Sequence, residues 1–387
     1  MEELASTRRQ RVLWGLGLGV VLAAVTVSAV LALVRVVEPV LAPDPTPSPP
    51  AASRPALPSG PAPTAPGPIE PAGDVSLPGA GSDVVFVQSA AAIYRIDLAT
   101  GAVVRTLTPE LTQISSLVAR PGWVVSKTVD DDTGVVVRDG QPAQPLPPGL
   151  RSNGRIYSAG RDRLWLVPED ATDGYRTATK VDIDGNRVGR ATIRLHDELG
   201  LPSSDQNGEL VVTNTGGAYQ AGPSGLRRLA TGQLLAIGTH HVLTWDCDDQ
   251  ARCDAYRTVR ATGRRTPLAV TRRAVSDVYQ GDQDHASSYQ GVLSPDGTHA
   301  ALVGPPQIGD DGRLVVLDLR TGQDDPLPGS TTGVNPNAQV AWTANSRWLL
   351  ALTDNQLRAY DTTTRTVRTL SVGEPLQHLV SANAAGV

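Results

Sequence analysis

The chain has 387 residues, 40% apolar and 19% charged, which is enough to bury one large core or two small ones. Its 34 basic and 39 acidic side chains nearly cancel. Beyond residue 78 the balance is 29 to 33, so there is no basic stripe to neutralise a phosphate backbone, and nucleic acid is not an expected partner.

Taken in chain order, the first feature is Leu13–Val34, 22 residues without a charge. At about 1.5 Å per residue it spans a hydrocarbon core of about 30 Å. Arg8, Arg9 and Arg11 precede it, and this basic excess keeps the amino terminus in the cytoplasm. The expectation is a cytoplasmic stretch over 1–12, an uncleaved transmembrane signal anchor over 13–37, and everything beyond it outside the cell membrane. A cleaved signal peptide is the competing reading, but the apolar run is longer than the usual h-region. Next, 13 prolines fall within the 33 residues Pro39–Pro71, a composition that can neither form a ladder nor bury a core. The segment 38–79 is therefore read as an extended, disordered linker and 80–387 as an extracytoplasmic domain.

From Asp83 onward, runs of 4 to 8 β-formers are broken by Gly, Pro, Asp or Asn, with no long helical period. One type of hairpin turn recurs at Thr100-Gly101, Asp139-Gly140, Asp184-Gly185, Ser224-Gly225, Thr262-Gly263, Thr321-Gly322 and, degenerate, Thr363-Thr364. Successive spacings are 39, 45, 40, 38, 59 and 42 residues, the period of a four-stranded propeller blade. The expected fold is all-β, a seven-bladed β-propeller. The first unit begins at its second strand, Val84–Gln88, and a surplus strand, Leu376–Ser381, follows the last. Pairing of the two would close the ring.

Two motifs carry a family resemblance. Tyr-Arg-Ile-Asp-Leu-Ala-Thr-Gly at 94–101 is matched by Val-Val-Leu-Asp-Leu-Arg-Thr-Gly at 315–322, and Leu-Ser-Pro-Asp-Gly-Thr-His-Ala-Ala-Leu at 293–302 is echoed by Trp-Thr-Ala-Asn-Ser-Arg-Trp-Leu-Leu at 342–350. Over 83–382 the chain resembles the WD40-like and TolB-like propeller repeats of bacterial envelope proteins, and with its anchor and linker it is similar to actinobacterial members of that type. The resemblance implies a fold and hardly any activity.

With strands lettered A to D outward from the axis, the B–C and D–A connections lie on one face. The B–C connections carry Asp130, Asp131 and Asp132; Glu169, Asp170 and Asp173; Asp248 and Asp249; Asp310 and Asp311; and Asp354, with Arg252 the evident basic residue among them. A long D–A insertion, 272–288, adds Asp277, Asp282, Asp284 and His285. This acidic rim is the candidate binding face. Asp130, Asp131, Asp132, Asp310 and Asp311 are candidate metal ligands, for Ca²⁺ if any ion, because carboxylates supply hard oxygens; the alternative is that Asp merely favours turns. Cys247 and Cys253 bracket the fifth B–C loop without zinc-type ligand spacing, and a small disulfide is expected in an oxidising compartment. The Asp182–Asn186 stretch opens like a calcium loop but lacks the downstream Glu, which leaves a hairpin turn.

No Gly-x-Ser-x-Gly, His-Glu-x-x-His or phosphate-binding Gly-Lys motif is present, so no catalytic residue and no cofactor is assigned. The expected function is a non-catalytic binding or scaffold module for an envelope protein, peptide or glycan, held to the membrane by its helix. The alternatives are a propeller enzyme (a glycan hydrolase or lyase, or a metal-dependent lactonase) and a small-ligand or ion sensor.

Overall fold

A computed structural model describes residues 75–382 except 112, 130–132, 152–153, 161, 201, 206, 215, 248–252, 269–290, 304–313 and 330–338. Among these residues regular structure is nearly all strand, and no helix is long and apolar enough to cross a membrane. The apolar run Leu13–Val34 lies outside the described residues.

The strands form six sheets. Sheet I orders β28 (His378–Ser381), β1 (Val84–Gln88), β2 (Ala92–Asp97) and β3 (Val103–Leu107). Sheet II runs β4 (Ile114–Arg120), β5 (Trp123–Thr128), β6 (Gly134–Arg138) and β7 (Gln144–Pro145). Sheet III is β8 (Arg155–Ser158), β9 (Arg163–Val167), β10 (Tyr175–Asp182) and β11 (Arg187–His196); sheet IV is β12 (Ser203–Ser204), β13 (Leu210–Asn214), β14 (Gly217–Gly222) and β15 (Gly225–Ala230). Sheet V has eight strands. Its first meander is β16 (Gln233–Ile237), β17 (His241–Cys247), β18 (Cys253–Val259) and β19 (Arg265–Pro267), and its second is β20 (Gly291–Leu293), β21 (His299–Val303), β22 (Leu314–Asp318) and β23 (Asp324–Pro326). Sheet VI is β24 (Val340–Trp342), β25 (Trp348–Thr353), β26 (Gln356–Asp361) and β27 (Thr366–Leu370).

Every meander is antiparallel, with strands in sequence order except for β28 at the head of sheet I, and each of the seven recurring turns joins the third strand to the fourth. First strands meet first strands of the neighbouring unit: β24 touches β28, β28 touches β4, β4 touches β8 and β8 touches β12. That is a propeller-like arrangement. The two meanders of sheet V merge because β16 and β20, both first strands, pair in parallel, with Ala236 opposite Gly291. The repeat therefore appears as five four-stranded sheets and one double sheet. Ring closure follows the expected pattern: β28 pairs antiparallel with β1, Ser381 opposite Val85 and His378 opposite Gln88.

Both faces of the inner strands are covered, which explains their nearly continuous apolar sequences. Val85 and Val87 pack with Ala341, Leu350 and Leu352 of sheet VI, whereas Phe86 packs with Val124 and Val135 of sheet II. Four of the tryptophans serve this packing: Trp123, Trp165, Trp342 and Trp348 are buried. Each such side chain contributes roughly 2–3 kcal/mol of transfer free energy.

The segment ahead of β1 belongs to the core as well. Val75 and Leu77 are buried in the cluster shared by sheets VI and I, the Leu77 amide donates to the Leu98 carbonyl (2.7 Å), and Trp348 Nε1 donates to the Pro78 carbonyl (3.1 Å). Folded structure thus reaches into the stretch that composition assigns to the linker.

Candidate functional site

A meander places its A–B and C–D links at one end of the sheet, the turn face, and its B–C and D–A links at the other, the loop face. On the turn face, polar contacts tie sheet to sheet. Arg95 pairs with Asp139 across I and II (3.3 Å), Arg138 with Asp184 across II and III (2.5 Å), and Trp165 Nε1 donates to Gly208 O across III and IV (2.9 Å). Arg260 of sheet V bonds Asp205 and Glu209 of sheet IV, with both Arg260 and Asp205 buried. Arg365 and Tyr360 of sheet VI both bond Asp325 of sheet V, and the Ala344 amide donates to Asp83 Oδ2 between VI and I (2.9 Å). At one seam backbones meet: a Cβ on Gly208 would lie 2.0 Å from the Gly160 amide nitrogen. The Asp182–Asn186 turn is a hairpin whose Asp182 carboxylate accepts from the amides of Asp184 and Asn186.

The loop face carries the candidate residues. Asp130, Asp131, Asp132, Asp248, Asp249, Asp277, Asp282, Asp284, His285, Asp310 and Asp311 lie outside the described residues. The link between β9 and β10 holds Glu169, Asp170 and Asp173. Glu169 accepts from Arg155 Nε (3.1 Å), and its backbone carbonyl accepts from Arg176 Nε (3.0 Å). Asp354, in the β25–β26 turn, pairs with Arg358 (2.9 Å). Two of the described rim carboxylates, Glu169 and Asp354, are thus charge-paired. The arginines come from strand ends and neighbouring strands, so a census of loop residues alone misses them. Among the described residues no group of three or more His, Cys, Asp or Glu side chains could hold a metal ion. The backbone register sets Cys247 directly opposite Cys253 on β17 and β18.

Sequence reading did not single out Glu374, in the connection from β27 to β28. Ser89 Oγ donates to it (2.9 Å), Arg105 Nη2 pairs with it, and Tyr94 bonds it. The Tyr94 hydrogen bond, helped by Ser89 and Arg105 against the effect of burial, holds the Glu374 carboxyl below its ordinary range; burial and that same carboxylate push Tyr94 up to about 12. A shallow cleft of about 370 Å³ runs between Asp354–Leu357 and Thr369–Leu376, with Glu374 in its wall. Polar groups gather at the inner ends of the same face: buried Ser126 donates from Oγ to Gln88 Oε1 (2.7 Å), buried Lys127 donates from Nζ to the Gly154 carbonyl (2.6 Å), and partial burial pushes the half-buried His378 down to about 4. Two apolar side chains, Leu107 and Val129, stand exposed at this end.

No protein-family model and no curated protein matches the chain. Solved structures similar to it include TolB from Acinetobacter baumannii (TM-score 0.42, 15% identity, covering 80% of this chain and 67% of that one) and a 6-phosphogluconolactonase-like protein from Bacteroides fragilis (0.44, 13%, 79% and 99%). The computationally designed protein Ika8 is similar to the same degree (0.43, 15%, 78% and 88%). At these overlaps the likeness carries no argument about activity, and the β-propeller assignment rests on strand order and pairing.

Proposed function

We propose that the chain is a single-pass, membrane-anchored extracytoplasmic propeller of seven blades, sheet V counting as two, whose loop face docks an envelope protein, peptide or glycan without catalysing a reaction. What carries this reading is the division between the two ends of the sheets. Short, cross-tied links occupy one end, and the long connections, with Glu169, Asp354 and the exposed Leu107 and Val129, occupy the other; of the exposed large apolar side chains among the described residues, Leu226 alone is at the turn face. Binding residues commonly sit on loops held by a rigid scaffold. The apolar run Leu13–Val34 and its preceding arginines support the anchor.

Photo-crosslinking in living cells tests the docking face. A crosslinker placed at Val129 or Asp170 is expected to yield one discrete adduct, and one placed at Asp139 on the turn face none. Equal labelling from both faces overturns the assignment. The opposed register of Cys247 and Cys253 also favours a disulfide, which predicts no free thiol in the non-reduced protein by mass spectrometry; two free thiols would count against the extracytoplasmic placement.

A further inference from the structure

The last strand of the chain completes the first sheet, and two titratable groups sit on it and on its lead-in. We propose that Ser371–Ala382 is an acid-released latch: on acidification β28 leaves β1 and bares the edge of Val84–Gln88 as an acceptor for another extended strand.

The geometry rests on two points of attachment. At the lead-in, Glu374 is gripped by three groups of sheet I, namely Ser89, Tyr94 on β2 and Arg105 on β3. These donors suit a carboxylate and not a neutral acid, and charge-assisted bonds of this kind weaken sharply on protonation. On the strand itself His378 stands opposite Gln88, and the Gln377 amide donates to the Gln88 carbonyl (2.7 Å). His378 Nδ1 is shut off from solvent and has no hydrogen-bond partner among the described residues; neither has Gln88 Nε2 beside it. The residues at the same end of the neighbouring strands are Ser126 on β5, Ser115 and Ser116 on β4, and Gln339 and Thr353 beside β24 and on β25, all uncharged. Lys127 turns its ammonium to Gly154 at the next seam. Among the described residues none of these groups compensates an imidazolium, and the closed state favours a neutral His378.

Both groups push the same way. A histidine whose closed-state value lies near 4 against 6.5 when released takes up a proton on opening throughout that window. One linked proton raises the opening equilibrium by up to tenfold per pH unit, about 80-fold between the window's two edges, where each state is half titrated. Glu374, held below its ordinary 4.5 when closed, adds a second proton as pH falls past that value.

Hydrogen exchange read by mass spectrometry on the full-length chain in detergent tests the latch. The readout is the protection of Leu376–Ser381 relative to Leu164–Leu166 of β9, which is paired on both sides, in the same sample. Between pH 6.5 and 4 the ratio is expected to fall about 100-fold in the wild type and only a few-fold in His378→Gln, where Glu374 alone titrates. Glu374→Gln is expected to open the latch already at pH 7, so the two variants report separately if one fails to fold. A synthetic peptide of residues 375–382 carrying His378→Gln, which lacks both titrating groups, should associate with the chain at pH 4 and not at pH 7. Parallel loss of protection in β28 and β9, or superimposable profiles for wild type and both variants, overturns the proposal. Neither result bears on whether the loop face docks a partner.

Discussion

The two ends of the propeller's sheets solve opposite problems with the same strands. At the turn face, links of a few residues leave little freedom, and ion pairs and backbone contacts fasten each sheet to the next: Arg260 to Asp205, Arg365 to Asp325, Arg138 to Asp184. At the loop face, described carboxylates find arginines of their own or an adjoining strand, as Glu169 with Arg155 and Asp354 with Arg358, and these pairs are exposed enough to be weak. A buried ion pair ties two sheets together at the turn face, whereas the outer rim pairs of the loop face contribute little to folding.

Substitutions at the two ends can break that contrast. The largest effect is expected for Arg260→Ala, which leaves the fully buried Asp205 carboxylate without its cation; about 3–5 kcal/mol of stability should be lost, seen as a lower urea midpoint. Asp361→Asn comes next. Burial of Asp361 opposes ionisation, but Arg347 and the amides of Thr363 and Thr364 prevail and hold its carboxyl below the ordinary 3.8. Its contribution is therefore present above pH 3.8 and lost as pH falls below it, so the variant should cost about 1–3 kcal/mol at neutral pH and converge with the wild type in acid melts. The smallest effect belongs to the loop face. Glu169→Gln should change stability by no more than about 0.5 kcal/mol in the same melts. A loss there comparable to that of Arg260→Ala would erase the distinction between the two ends.

Much of the fold was legible because its unit repeats. A recurring turn, Gly-type in six copies and Thr363-Thr364 in the last, marks each third-to-fourth strand hairpin, and one missing and one surplus strand announce the β28–β1 ladder. The merging of sheet V was not legible, since parallel pairing of β16 with β20 depends on how closely two inner strands approach and leaves no local pattern. The site was legible only by side. Sequence placed Glu169 and Asp354 on one face, but their arginine partners lie on other strands, 14 and 4 residues away, and enter through register. Glu374 was invisible for the same reason: its partners Ser89 and Arg105 are 285 and 269 residues distant. Val75 and Leu77 were read with the linker because a short apolar pair among Pro and Gly shows no period.

That short leading segment has a mechanical consequence. Val75–Asp83 reaches the fold on the turn face, held by Leu98, Trp348, Asn345 and Ala344 at the seam of sheets VI and I. β1 begins directly after it and pairs with the last strand of the chain. Any pull delivered from the amino-terminal side is therefore borne first by these contacts, and their failure transfers the load to the β28–β1 ladder, where the circle of sheets is joined by hydrogen bonds and not by chain.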